Sequence, residues 1–195
     1  MYISHNWLKE FIDFEYTPAE LDNILTGLGI EVEHIVDYAA KFKNFFIGEV
    51  LTKEKHPNAD KLSLCTVDYG EGIKTIVCGG PNVAAGQKVV IAAVGAVVPN
   101  GGFLIEKRVV RKIASEGMIC SKSELELGES PEGIWELPAG AVVGTPLADY
   151  LNINDVIYEI GITPNRADCL SHLGIAREIA AYSRKDVKIP SADFA

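Results

Sequence analysis

The chain has 195 residues, 48% of them apolar, and a formal net charge of −9. The apolar share is enough to bury a core, which excludes a disordered chain, and the acidic balance argues against a general nucleic-acid binder, whose affinity rests mostly on Lys and Arg displacing counterions from phosphates. The longest apolar run, Val89 to Val98, is far short of the ~18 residues that span a bilayer, and the opening Met1-Tyr2-Ile3-Ser4-His5-Asn6 lacks the basic and apolar regions of a secretory signal.

The first forty residues read as helical. Ser4 can cap a short helix whose pairs Trp7/Phe11 and Leu8/Ile12 share one face. Thr17-Pro18-Ala19-Glu20 gives an N-cap, a first-turn proline and the acidic member of a capping box. Leu21, Ile24, Leu25 and Leu28 then form a stripe that Gly29 ends, and Ile30 to Val36 reads as a strand. After Lys43, β-branched runs at Phe45–Leu51, Leu62–Val67, Thr75–Cys78, Lys88–Val98, Arg108–Ile113 and Ile134–Leu137 alternate with Gly, Pro, Asn and Asp turns. A five-stranded OB barrel fits this spacing best among small all-β folds. Beyond Asn152, Val156 to Ile162 reads as a strand, Pro164-Asn165-Arg166 as a turn, and Ser171 to Ser183 as a helix.

Neither helical flank can bury its apolar stripe alone. The expected architecture is therefore α+β and mainly β: residues 1–39 and 151–190 form one small helical domain, residues 40–150 an inserted OB barrel, and residues 191–195 the start of a linker. Charge follows the same division. Residues 40–150 carry 12 basic and 13 acidic groups, whereas the flanks carry 6 and 14.

Cys65, Cys78, Cys120 and Cys169 form no CxxC pair and have no histidine at ligand spacing, so neither zinc nor a disulfide framework is expected, and the thiols read as those of a cytoplasmic protein. His56-Pro57-Asn58-Ala59-Asp60-Lys61-Leu62 is either a capped turn with solvated His56 and Lys61, or a rim loop offering donors from His56, Asn58 and Lys61. Cys78-Gly79-Gly80-Pro81-Asn82 has neither phosphate-loop pattern and reads as a tight turn, with Asn82 a candidate polar contact. Lys107 to Lys112 is the one dense basic run; on a single strand it would present a row of cations to phosphates or simply protect an edge. Ser115 reads as the cap of a one-turn helix and Cys120 as buried. Nothing in the chain presents a nucleophile beside a base, so no catalytic residue is expected.

Taken together, HPNADKLSLCTVDYG (56–70), IVCGGPNVAAGQKVVIAAVGAVVP (76–99) and SEGMICSKSELEL (115–127) resemble the tRNA-binding OB domain found in several translation proteins. ISHNWLKEFID (3–13), LTGLGIEVE (25–33) and ITPNRADCLSHLGIAREIAA (162–181) resemble the start and the close of the first domain of bacterial phenylalanyl-tRNA synthetase β subunits. The resemblance implies a non-catalytic, N-terminal segment of an ATP- and magnesium-dependent ligase, an α2β2 heterotetramer with catalysis in α and editing in later β domains. It implies tRNA(Phe) and the α subunit as partners, with no cofactor, metal, DNA or membrane for the segment itself, and likens the flanking domain to DNA-binding folds. An assembly module with little RNA contact and a stand-alone tRNA-binding protein are the alternatives. Carried onto this sequence, the tRNA-contact candidates are His56, Asn58, Lys61, Asn82, Ser115 and Ser121, with Arg108, Arg111 and Lys122 added on charge.

Overall fold

The structure, a computed structural model, describes residues 1–129 and 133–191. In chain order it contains β1 (Tyr2–Ser4), α1 (His5–Phe11), α2 (Pro18–Gly27), β2 (Glu31–Asp37), the single turn α3 (Tyr38–Lys41), β3 (Phe45–Lys55), β4 (Ser63–Asp68), β5 (Ile73–Cys78), β6 (Lys88–Ala92), β7 (Arg108–Val110), β8 (Ile113–Ser115), β9 (Met118–Ile119), β10 (Glu136–Leu137), the single turn α4 (Leu147–Tyr150), β11 (Val156–Gly161), a 3-10 turn at Ala167–Cys169 and α5 (His172–Ser183). Two compact units result: Met1–Tyr38 with the chain from Asp155 onward, and Ala39–Asn154. Residues 192–195 of the expected linker lie outside the described residues.

In the first unit the local signals act as their chemistry dictates. The Ser4 hydroxyl accepts the backbone N–H of Trp7, and Thr17 and Glu20 close a full capping box at the start of α2. Ser171 caps α5 in the same way through Gly174 N–H. The unit is nevertheless more than helical. β11 pairs antiparallel with β1 on one side and β2 on the other. Ile3, Tyr158 and Ile160 point from this sheet into a core completed by Leu8, Leu21, Leu25, Ile175 and Ile179. Sequence reasoning missed β1 because three residues are too few to show alternation, and their partner, with Tyr2 opposite Glu159, lies at the far end of the chain.

In the second unit β3 is the organising strand. It pairs with β4 along one edge and β6 along the other, with a bulge between Val50 and Thr52, and β4 pairs with β5. β9 and β10 both pair with β6. The ring is almost closed where Glu116 N–H donates to Thr75 O at 2.9 Å and Val77 N–H donates to Ser115 Oγ at 3.1 Å. β3, β4, β5, β6 and the β8–β9 segment thus form a nearly closed five-stranded antiparallel barrel, the OB-like arrangement expected. Val50, Cys65, Val67, Ile76, Val89, Ile91 and Ile119 fill it; burying each large side chain contributes roughly 1.5–3 kcal/mol. Gly48 lets β3 and β6 meet, since a Cβ there would sit 2.6 Å from Ile91 Cγ1.

Two expected strands differ. The run from Lys88 leaves the sheet after Ala92, because the chain turns through Gly95 at φ +91. The run from Arg108 to Ile113 is a hairpin rather than one strand, with Arg111 and Lys112 at its tip.

Candidate nucleic-acid interface

The residues from His56 to Leu62 join β3 to β4, and Ala93 to Lys112 lies between β6 and β8; in OB barrels these are the two connections that meet nucleic acid. The first closes on itself, with His56 N–H donating to Leu62 O at 3.0 Å and Leu62 N–H to Ala59 O at 3.3 Å. His56 is 1% exposed. Its Nδ1 accepts the N–H of Asn58 at 3.1 Å, so its proton is on Nε2, which donates to Val110 O at 3.3 Å. Asn58 Nδ2 donates to Arg111 O at 3.1 Å. The loop is therefore fastened to the β7–β8 hairpin by two side-chain bonds. This corrects both sequence readings of His56, which is neither a solvated turn residue nor a free donor at the rim.

The hairpin tip is unusual. Val110 pairs with Ile113, so Arg111 and Lys112 form a two-residue turn, with φ of +48 and +76. Such turns ordinarily take Asn-Gly, because a side-chain-bearing L residue in the left-handed region costs ~1–2 kcal/mol. The expected single row of cations along one strand is thereby replaced by two cations at a turn and Arg108 at the base of β7, all three exposed.

The remaining expected contacts divide by their hydrogen bonds. Asn82 donates from Nδ2 to Ile134 O at 3.0 Å and accepts Ile134 N–H on Oδ1 at 2.8 Å, acting as a surrogate strand for that residue. The neighbouring Gly80 is required by packing, since a Cβ would meet Ile134 Cγ2 at 2.7 Å. Ser115 is buried at the end of β8, where its hydroxyl accepts Val77 N–H and donates to Gly117 O at 3.3 Å; it caps no helix. The hydroxyl that does cap a turn is Ser121, whose Oγ accepts Glu124 N–H while the Glu124 carboxylate accepts both Ser121 N–H and its hydroxyl. Lys122 lies over the Trp135 ring at 5.1 Å. Of the nine candidates, Lys61, Arg108 and Arg111 are exposed cations, and Asn58 is exposed but engaged.

Lys61 opens onto a groove of about 570 Å³, lined also by Lys53, Lys55, Asp60, Leu62, Gly79 and Pro81. Lys55 is matched by Asp60 at 2.7 Å. Among the described residues, Lys53, Lys61, Arg108, Arg111 and Lys112 have no carboxylate within ion-pair distance. Sequence reasoning overlooked Lys53 and Lys55, although two lysines two residues apart on one strand necessarily share a face. Five of the near-neutral unit's unmatched cations thus lie on the closed loop, the groove beside it and the hairpin fastened to it, whereas Lys43, before β3, and Lys74, on β5, are likewise without an ion-pair partner among the described residues.

Residues 45–146 match the family model of the tRNA binding domain (tRNA_bind). The chain belongs to the tRNA-binding domain family. The match begins with β3 and ends just before α4, so it covers the barrel and both cation-bearing connections. Over almost its full length the chain is also similar to phenylalanine–tRNA ligase β subunits. It is 45% identical over 190 residues to that of Syntrophus aciditrophicus, covering 97% of this chain and 24% of the relative. It is 50% identical over 194 residues to that of Oleidesulfovibrio alaskensis, covering 100% and 24%. The chain therefore spans about a quarter of the length of these relatives. A solved MetRS related protein from Pyrococcus horikoshii aligns with a TM-score of 0.41 at 21% identity, over 53% of this chain and 87% of that one.

Outside the tRNA-binding domain, titratable groups serve the packing of the first unit. Arg166 makes a two-point pair with Asp168, at 3.2 and 3.1 Å, and a third bond to Glu178 at 3.0 Å. Asp168, Cys169 and Glu178 lie close enough to share a cation, but the guanidinium of Arg166 already serves all three, reaching Cys169 Sγ at 2.9 Å. All four thiols are free and buried. Burial raises the pKa of each; Cys65 and Cys169 reach about 11. No described helix is long and apolar enough to cross a membrane.

Proposed function

We propose that this chain is a non-catalytic, tRNA-binding segment of a phenylalanine–tRNA ligase β subunit, and that Lys53, Lys61, Arg108, Arg111 and Lys112 contact phosphates. The observation that carries the reading is the fastening of the closed His56–Leu62 loop to the cationic hairpin at the edge of a tRNA-binding-family barrel. Phosphate contacts position a nucleic acid without reading its sequence. The surface suits that task, because its cations are exposed and unmatched while its polar side chains are occupied by backbone groups. His56, Asn82, Ser115 and Ser121 support the interface rather than touch RNA. Lys122 is a peripheral contact.

In the same reading the chain serves an α2β2 ligase in the cytoplasm that joins phenylalanine to tRNA(Phe). ATP and magnesium belong to the α-subunit chemistry. The first unit serves assembly with the α subunit or with further β-subunit domains. Exposed Tyr2, Trp7, Leu170 and Tyr182 beside an acidic surface favour a protein partner there over a nucleic acid.

Filter binding of tRNA(Phe) across a salt series tests the RNA role. Affinity should fall log-linearly with salt, with roughly 0.7–0.9 of slope for each phosphate neutralised. Undetectable binding at low salt would remove the RNA role and leave the assembly role alone.

A further inference from the structure

We propose that His56 and Asn58 are positioning residues for RNA: they clasp the strained β7–β8 turn and hold its cations in a binding-ready arrangement. The proposal rests on the tRNA-binding role of the barrel. Its basis is that the two carbonyls taken by the clasp, Val110 O and Arg111 O, belong to the tip of the hairpin. Arg111 and Lys112 both occupy the left-handed region, so the free hairpin has reason to leave this conformation. Two bonds from a loop that is itself closed by His56 N–H to Leu62 O oppose that tendency. Cations held in place before the encounter lose less conformational freedom when phosphate arrives, which raises affinity without any new contact.

The geometry separates positioning from direct contact. The His56 ring is 1% exposed and both its nitrogens are engaged, so RNA could reach it only by dismantling the loop. Asn58 is exposed, and its side-chain Nδ2 donates to Arg111 O. Neither residue carries charge in this arrangement, so removing the Asn58 amide alters no Coulombic attraction to RNA. Any effect on affinity must pass through the hairpin or through a new contact, and the two are separable.

Replacing buried His56 threatens the fold, so the test uses Asn58→Ala and the near-isosteric Asn58→Leu in the 195-residue chain. Trypsin cuts after Arg111 and Lys112, and its rate there reports how often the turn opens. Both variants should keep the wild-type circular dichroism, be cut at the turn about three- to tenfold faster, and bind tRNA(Phe) more weakly by a similar factor. The affinity loss should vanish when Asn58→Ala is added to an Arg111→Gln/Lys112→Gln background, because coupled residues are not additive. An unchanged cleavage rate overturns the clasp. An affinity loss that persists in the double-Gln background overturns positioning and makes Asn58 a direct contact. Intact binding by Asn58→Ala overturns positioning alone, whereas a wild-type chain that binds no tRNA overturns the RNA role with it.

Discussion

The backbone N–H of Ser4 donates to Nε2 of His172 at 2.9 Å, joining the two ends of a unit whose sequence is interrupted by the whole barrel. The same junction is reinforced by Asp155, which accepts from the Ser4 hydroxyl at 2.5 Å and from Asn6 N–H at 3.0 Å. Trp7 lies against the His172 ring, with centroids 4.0 Å apart. Since Nε2 accepts a hydrogen bond, His172 must be neutral at that nitrogen for the junction to persist.

This junction makes the first unit sensitive to acid. Burial lowers the pKa of His172, against the opposing charge of Asp155. Burial also lowers that of His5, helped by Lys9 and opposed by Asp155, and its Nδ1 is bonded to Tyr158 OH at 2.9 Å. A base with a depressed folded pKa is neutral in the native state, while the unfolded chain takes up a proton near 6.5. The stabilisation is therefore complete above about pH 6.5 and is lost as pH falls through the folded values. The thermal midpoint should be level between about pH 7 and 8 and fall below about pH 6.5. His172→Gln, which keeps an acceptor but cannot titrate, should fall less steeply. An identical slope in that variant would show that the junction does not govern the acid response.

Asn82 is predicted to matter for stability and not for RNA. Asn82→Ala strips Ile134 of a donor and an acceptor at once. Leaving partly buried backbone groups unpaired costs about 1–3 kcal/mol. Urea denaturation should show that loss, while tRNA(Phe) affinity of the folded variant stays at the wild-type value. Weakened affinity with unaltered stability would instead make Asn82 a contact residue.

The thiols should be inert in the folded protein. All four are buried and have raised pKa values, chiefly through burial, so the reactive thiolate is scarce at neutral pH. A chromogenic disulfide reagent should label almost none of them in buffer and four in denaturant. Fast labelling of the native chain would contradict the burial described for these sites.

How far the sequence reveals this molecule depends on the range of the interaction. The Thr17–Glu20 box spans four residues and was legible, as were the Ser171 cap and the alternating strands that build the barrel. The β7–β8 turn was not, because Arg-Lys contradicts the local chemistry of a two-residue turn. What stabilises it are bonds from residues 54 and 53 positions away. His56 was misread for the same reason: its identity suggests a polar, titratable surface group, whereas its burial is decided by a hairpin far along the chain. Asn82, Ser115 and Ser121 lie in the motifs that carry the family resemblance, and in the structure each is bonded to backbone or to a neighbouring carboxylate, partners that a reading of the motifs alone does not give.

The groove supplies the last prediction. Lys53 and Lys61 line it without a carboxylate partner, whereas Lys88, outside it, is paired with Glu49. Lys53→Gln and Lys61→Gln should each weaken tRNA(Phe) binding and reduce the salt slope by roughly 0.7–0.9. Lys88→Gln should leave the slope unchanged, because its ammonium is already neutralised by Glu49. Exposed lysines contribute little to folding, so urea midpoints of the two groove variants should match the wild type. If all three variants change binding equally, net charge rather than the groove sets the affinity. If only the hairpin variants weaken it, RNA rests on the hairpin and passes the groove by.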